Sequence, residues 1–136
     1  MYGPGSDSPR FLHRFIDQAR RGRTIVTHRY TNGPPALDLL PIDDLVSAFV
    51  ATLKTGYAGT LNLGTGTLVS TFEIAEMLKA LLGSTSCIEE MHLDTGVASI
   101  AMDSSCAQAE LKWRPTVDFR SGLGNLVAGM NLDRIQ

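Results

Sequence analysis

The sequence contains one short glycine-rich turn whose backbone amides could hold a phosphate group. Gly64-Thr65-Gly66 lies just before a segment predicted to be helical, which is where proteins commonly bind phosphate. A dinucleotide-binding turn has a third glycine three residues after the second, and that position is Val69. The P-loop pattern G-x-x-x-x-G-K-S/T is absent as well. We therefore interpret the glycines as a tight structural turn between a strand and a helix.

Two adjacent carboxylates, Asp43 and Asp44, could act as an acid/base pair. Neighbouring residues on a helix do not face each other, so one cap and one solvent-exposed or loop-bonding carboxylate fit better. The other reactive side chains also lack partners at useful spacing: no tyrosine is followed by a lysine four residues later, and neither the histidines nor the cysteines form a metal or nucleophile pattern. We find no catalytic set and no metal site.

Composition excludes several classes of protein. The 136 residues are 43% hydrophobic and 19% charged with a net charge of −2, which is typical of a globular chain without a strongly basic nucleic-acid surface. The apolar runs are much shorter than the roughly 20 residues of a membrane-spanning helix. Two isolated cysteines favour reduced thiols. We expect a cytoplasmic protein that binds neither nucleic acid nor membrane.

Periodicity and turn residues predict the elements that position these groups. A hydroxyl cap at Ser8 and a proline at Pro9 should begin the first helix, and apolar residues nearly all round the helix after Asp43 indicate that it is well buried. The first two extended pieces could pair as a hairpin. Helices are predicted over 9–21, 43–55, 70–82, from 103, and over 118–127; extended segments over 24–28, 37–42, 60–63, 86–93 and 99–102.

This order predicts an α/β fold whose sheet is too small for a complete doubly wound domain. We identify no linker and treat 1–136 as one domain.

Five segments, in the expected order and spacing, resemble a known family. They are similar to the C-terminal part of the extended short-chain dehydrogenase/reductases, the NAD-dependent nucleotide-sugar epimerases and dehydratases. The resemblance covers nearly all of the chain. The segments are Tyr2-Gly3-Pro4-Gly5, the stretch 37–48 containing Asp43-Asp44, Asn62-Leu63-Gly64-Thr65-Gly66 with Ser70 and Glu73, Asp103-Ser104-Ser105 with Leu111 to Pro115, and Gly122-Leu123.

The resemblance implies a small mixed α/β substrate-binding domain. In the family, the glycine-rich NAD(P) loop and the Tyr-x-x-x-Lys catalytic set lie upstream of the Y-G-P-G loop, so Met1 is expected to be an internal residue of a longer enzyme. That missing half would be the partner of this one. By itself the chain should show no turnover and no tight binding of NAD, and exposed apolar surface would make it a possible homo-oligomer.

The same resemblance suggests which residues hold a nucleotide sugar. The start of the first helix and the edge of the following strand correspond to the family's base-binding region. The family's diphosphate-binding arginine, however, is Leu37 here, and a second arginine is missing from 92–96. Another arginine would have to replace them in binding the diphosphate, and the candidates are Arg10, Arg23 and Arg29. The candidate substrate residues are Arg10, Phe11, Ile25, Val26, Arg29 and Leu37.

Two alternatives remain open. Without both family arginines the chain could be a non-catalytic relative that serves as a binding or interaction module. It could also be a small α/β domain unrelated to that family.

Overall fold

The computed structural model describes residues 1–5 and 10–132. Within these residues the helices follow the predicted order, and the chain forms the expected small α/β fold. The predicted helix start at Ser8-Pro9 lies outside the described residues. The helices are α1 (Arg10–Arg20), α2 (Ile42–Thr55), α3 (Thr71–Leu81), α4 (Ser105–Leu111) and α5 (Phe119–Leu132); the strands are β1 (Ile25–Tyr30), β2 (Ala36–Leu37), β3 (Val69–Ser70) and β4 (Ile88–Leu93).

Internal contacts divide the chain into two compact units, which we describe separately. The first unit comprises Met1–Gly5, Asp38–Leu68 and Ala101–Gln136, and the second comprises Ser6–Leu37 and Val69–Ile100. Each unit is therefore built from stretches that are distant in sequence. A single substrate-binding domain over 1–136 stays a prediction.

In the second unit, β1 pairs in parallel with β4, with Ile25 opposite Ile88. Helices α1 and α3 pack on this pair. The buried face of α1 carries Leu12, Phe15, Ile16 and Ala19, as the spacing predicts.

The predicted hairpin between the first two extended pieces is wrong. Strand β1 ends in a tight turn in which Tyr30 and Gly33 exchange backbone hydrogen bonds. Pro34 and Pro35 follow, and a proline has no N–H to donate to a ladder. Strand β2 then pairs antiparallel with β3, Ala36 opposite Ser70.

A compact apolar cluster forms the core of the first unit. The indole Nε1 of Trp113 donates a hydrogen bond to Ser47 Oγ at 2.7 Å, which ties the segment after α4 to α2. The i, i+4 spacing of Ala107 and Leu111 predicts that they share the inner face of α4, and both are buried there. The cluster contains Leu40, Ala48, Ala107, Leu111 and Trp113.

Asp44 is a buried carboxylate that holds two distant segments of the first unit together. It accepts hydrogen bonds from Thr116 N at 2.9 Å, Thr116 Oγ1 at 3.0 Å and Val117 N at 3.1 Å. The cap interpretation is wrong, because the N-cap of α2 is Pro41, which makes no side-chain cap bond. The loop-bonding alternative is confirmed for Asp44, whereas Asp43 is exposed.

Tyr2 anchors the N-terminal residues in the same unit. Its backbone pairs with the segment before α2, through Tyr2 N to Leu40 O and Ile42 N to Tyr2 O. The hydroxyl donates to Phe119 O at 3.3 Å, and the two rings lie 5.5 Å apart. A Cβ at Gly122 would overlap this hydroxyl, so glycine is required for α5 to approach so closely.

The expectation that α2 is well buried is wrong. Val46, Phe49, Val50 and Leu53 are 52%, 60%, 43% and 84% exposed. Their spacing of i, i+3, i+4 and i+7 places them on one face of the helix. The apolar cluster of the first unit contacts a different face, around Ala48. High hydrophobicity therefore does not mean burial within this chain.

Several local predictions are confirmed and others need correction. A serine followed three residues later by a glutamate predicts a capping box, and Ser70 and Glu73 form one at the start of α3. The predicted extended segments 60–63 and 99–102 form no strand, and the last helix continues to Leu132 instead of ending near 127. None of the helices in residues 1–5 and 10–132 has the length and apolar character needed to cross a bilayer.

The two adjacent aspartates of α2 provide a matched test of this architecture. Asp44→Ala removes a buried carboxylate and leaves the partly buried amide donors at 116–117 without their acceptor, so we expect a loss of about 3 kcal/mol in the free energy of unfolding. Asp43→Ala, on an exposed side chain, should change it by less than about 0.5 kcal/mol. Urea unfolding measures both; equal effects would contradict the role given to Asp44.

Candidate functional site

The Gly64–Gly66 turn is closed by the side chain of Asp38. Oδ1 accepts hydrogen bonds from Thr65 N at 2.9 Å and Thr65 Oγ1 at 2.6 Å. Oδ2 accepts from Gly66 N at 2.9 Å and Met102 N at 3.0 Å. The amides that could have held a phosphate are therefore already used by a carboxylate.

Ser104 completes this turn from the other side. Its Oγ accepts from Gly64 N and donates to Gly64 O, both at 2.9 Å. A Cβ at Gly64 would overlap Met102 and Asp38, so glycine is needed for close approach, not for a ligand. The interpretation as a structural turn is confirmed, although no strand precedes it, and this turn does not fit NAD.

The hydrogen bonds at this turn change the acidity of Asp38. Partial burial acts to raise its pKa, but the bonds from Thr65 Oγ1 and from the amides of Met102, Thr65 and Gly66 outweigh it. The pKa of Asp38 therefore lies below its usual value, and the ionised form is favoured. This carboxylate is a structural acceptor and has no proton to offer near neutral pH.

All six predicted substrate residues lie in the second unit. Arg10 is the exposed first residue of α1, and the ring of Phe11 lies 5.6 Å from that of Phe15. Leu37 is partly buried in β2 opposite Val69, where it offers no charge. Whether these residues contact a substrate stays a prediction.

The strand β1 has one open edge. In a strand, the N–H and C=O of one residue point to one side and those of the next residue to the other. Ile25 N bonds to Cys87 O of the β4 segment, so Val26 and His28 direct their backbone groups to the opposite edge. No further strand of the described residues pairs there. Of the predicted pair, Val26 lies on the open edge and Ile25 does not.

Arg29 lines a cleft of about 460 Å³ in the second unit. Its Nη1 lies 3.4 Å from Glu90 Oε2 across the two strands. Glu73 accepts hydrogen bonds from Ser70 N at 2.8 Å and Ser70 Oγ at 2.7 Å, and these lower its pKa. The cleft thus combines one arginine with two carboxylates and does not by itself suit a diphosphate. Its lining is Arg29, Pro34, Ser70, Phe72, Glu73 and Glu90.

Sequence reasoning missed Phe72, Glu73 and Glu90 as cleft residues. Glu73 forms the capping box of α3 and also lines the cleft. Glu90 is 61 residues from Arg29 in sequence and reaches it only because β4 pairs with β1. The parallel register of β1 and β4 is the signal that places Glu90 beside Arg29, and the sequence does not show this register.

The described residues offer no group of three or more histidine, cysteine, aspartate or glutamate side chains that could hold a metal ion.

No protein-family model matches the chain. It is 27% identical over 130 residues to UDP-glucuronic acid decarboxylase 1 of Arabidopsis thaliana, covering 93% of this chain and 29% of that protein. It is 30% identical over 134 residues to the probable GDP-L-fucose synthase 1 of Oryza sativa subsp. japonica, covering 90% of this chain and 40% of that protein.

The fold points to the same group. The solved structure of MoeE5 in complex with UDP-glucuronic acid and NAD superposes with a TM-score of 0.79 at 28% identity, covering 97% of this chain and 44% of that one. The chain belongs to the NAD-dependent nucleotide-sugar epimerase/dehydratase family of extended short-chain dehydrogenase/reductases. It spans less than half the length of these relatives, and an unrelated small α/β domain is excluded.

The lowered pKa of Asp38 gives a pH test of the turn. Its stabilising effect is present above the unfolded-state pKa of about 3.9 and is lost as the pH falls through the lower folded-state pKa. Asp38→Asn should therefore destabilise the protein at pH 7, and the difference from the native chain should shrink below about pH 4.

Urea unfolding between pH 2.5 and 7 measures this effect, with Asp94→Asn, on an exposed residue, as the control. A difference that does not depend on pH would contradict the role given to the carboxylate.

Proposed function

We propose that this chain supplies the part of an NAD-dependent epimerase or dehydratase that holds the nucleotide sugar, and that it carries no catalytic group of its own. The observation that carries the proposal is the open edge of β1 in a chain related to MoeE5, which was solved with UDP-glucuronic acid and NAD. The tyrosine and lysine of the family's chemistry, and its NAD loop, would be supplied by an upstream half.

The open edge suits a nucleobase. The backbone of Val26 and His28 presents both donors and acceptors there, and a base edge carries the complementary groups. A base held by main-chain groups pairs much as an added strand would. Helix α1 contacts β1, and its first residues, Arg10 and Phe11, belong to the same unit.

The charges support weak binding of a diphosphate. Leu37 cannot make the bidentate hydrogen bonds of an arginine, each worth about 1.5–3 kcal/mol. Arg29 already faces Glu90, which offsets part of its charge. Arg10 is exposed and has no ion pair among the described residues, so it is the better candidate for the phosphates.

A second function is favoured by the same substitution. With Leu37 in place of an arginine and no arginine in 92–96, the chain would serve as a binding or interaction module of a non-catalytic relative. Tyr-x-x-x-Lys in the upstream sequence would favour the part of an enzyme, and its absence would favour the binding module.

Amide chemical shifts of the ¹⁵N-labelled chain test the base site. UDP-glucuronic acid should shift Val26 and His28 and saturate only in the millimolar range, whereas NAD should leave both unchanged. Val26→Pro removes an open-edge N–H and should weaken binding at least about fivefold. His92→Pro makes the same change on the outer edge of β4 and should have no effect. Shifts that avoid β1, or micromolar affinity for NAD, would contradict the proposal.

Charge removal tests the phosphate contacts. Arg10→Gln should weaken binding of UDP-glucuronic acid about tenfold, because it removes one charge-assisted hydrogen bond to a phosphate. It should leave the binding of uridine unchanged, because uridine has no phosphate. Arg29→Gln should have a smaller effect, because Glu90 already offsets its charge. Arg114→Gln in the first unit is the control, and equal losses for all three would mean that the effect is nonspecific.

A further inference from the structure

The most prominent apolar surface of the first unit lies along α2. We call Val46, Phe49, Val50 and Leu53 the α2 stripe; each is at least 43% exposed. The four side chains follow one another on one helical face, and none is charged. Contiguous apolar surface of this kind marks a contact with another molecule or domain.

We propose that the α2 stripe is the contact surface for the dinucleotide-binding half that the longer relatives carry. This inference rests on the proposed function, because it assumes that the chain works together with such a half. In MoeE5 the match covers only 44% of the polypeptide, so more than half of that enzyme lies outside it. A segment that forms only part of a larger protein needs a surface that contacts the rest of that protein.

The position of the N-terminal residues favours this occupant. Tyr2 pairs with Leu40 and Ile42, immediately before the first turn of α2. A polypeptide joined ahead of Met1 would therefore arrive beside α2. Covalent linkage makes such a contact intramolecular, so a small apolar surface is sufficient to hold it.

A second copy of this chain is a weaker candidate. Stable interfaces between separate proteins use about 20 to 30 residues per side. The α2 stripe has four side chains, which is far fewer than a homodimer would need. The same four residues are a reasonable share of a contact between tethered domains.

Cysteine labelling tests whether the stripe is covered. Both native cysteines are exposed, so Cys87→Ser and Cys106→Ser provide the background. Leu53→Cys places a thiol in the α2 stripe, and Met91→Cys places one on an exposed residue of β4 as the matched control. Labelling is compared between the isolated chain and a chimera in which this chain replaces the matched segment of MoeE5.

In the chimera, the thiol at position 53 should react at least about tenfold more slowly than in the isolated chain, and the thiol at position 91 should react equally in both. Equal reactivity at position 53 in a chimera that binds NAD would overturn the proposal. Protection in the isolated chain that increases with its concentration would also overturn it, since a second copy would then cover the stripe.

A measurement on the chain alone keeps the inference testable without the chimera. Phe49→Lys with Leu53→Lys should leave the midpoint of urea unfolding unchanged, because both side chains are mostly exposed among the residues that the structure describes. A clear decrease would mean that the stripe belongs to the chain's own core and would overturn the proposal. Neither readout involves a nucleotide sugar, so failure of the proposed function and failure of this inference are distinguishable.

Discussion

The first unit depends on buried or partly buried aspartates that accept backbone amides from distant segments. Its three stretches of chain are separated by 32 residues in each case, so local propensity cannot bring them together. Asp44 ties α2 to Thr116 and Val117, and Asp38 ties the residues before α2 to Gly66 and Met102. A charged acceptor makes stronger hydrogen bonds than a neutral one, and it is costly to leave its donors unpaired. The carboxylates therefore specify which segments meet.

This constraint explains why the residues that most resemble a reactive site are engaged in structural hydrogen bonds. A pair of acidic residues and a glycine-rich turn are features of catalytic and phosphate-binding sites, but Asp44 is buried against a loop and the amides of the Gly64–Gly66 turn are bonded to Asp38. A carboxylate already saturated with donors is a poor general base. In this chain, the acidic pair and the glycine-rich turn therefore mark the architecture of the first unit.

The sequence predicted what depends on neighbours along the chain. The capping box of Ser70 and Glu73, the buried face of α1 and the inner face of α4 all follow from spacing within one or two helical turns. Pairing of β1 with β4 did not follow, because parallel strands are joined by long crossovers and their register carries no local signal. The same limit applies to the candidate site. Arg29 is predicted as a substrate residue, but its neighbour on the paired strand, Glu90, is not predicted from the sequence. The candidate substrate residues come from the resemblance to a family and not from periodicity, and their contact with a substrate stays a prediction.

The wrong prediction that α2 is well buried has a different cause. Hydrophobicity shows that a surface avoids water, but it does not show which partner covers it. Ala48 is buried within the first unit, while Phe49 and Leu53 on the same helix remain exposed. A helix that is apolar nearly all round has two faces to cover, and residues 1–5 and 10–132 cover only one of them. The second face is accounted for if α2 lies between the two halves of a larger enzyme, in which case its sequence reflects both neighbours although only one of them is encoded in these 136 residues.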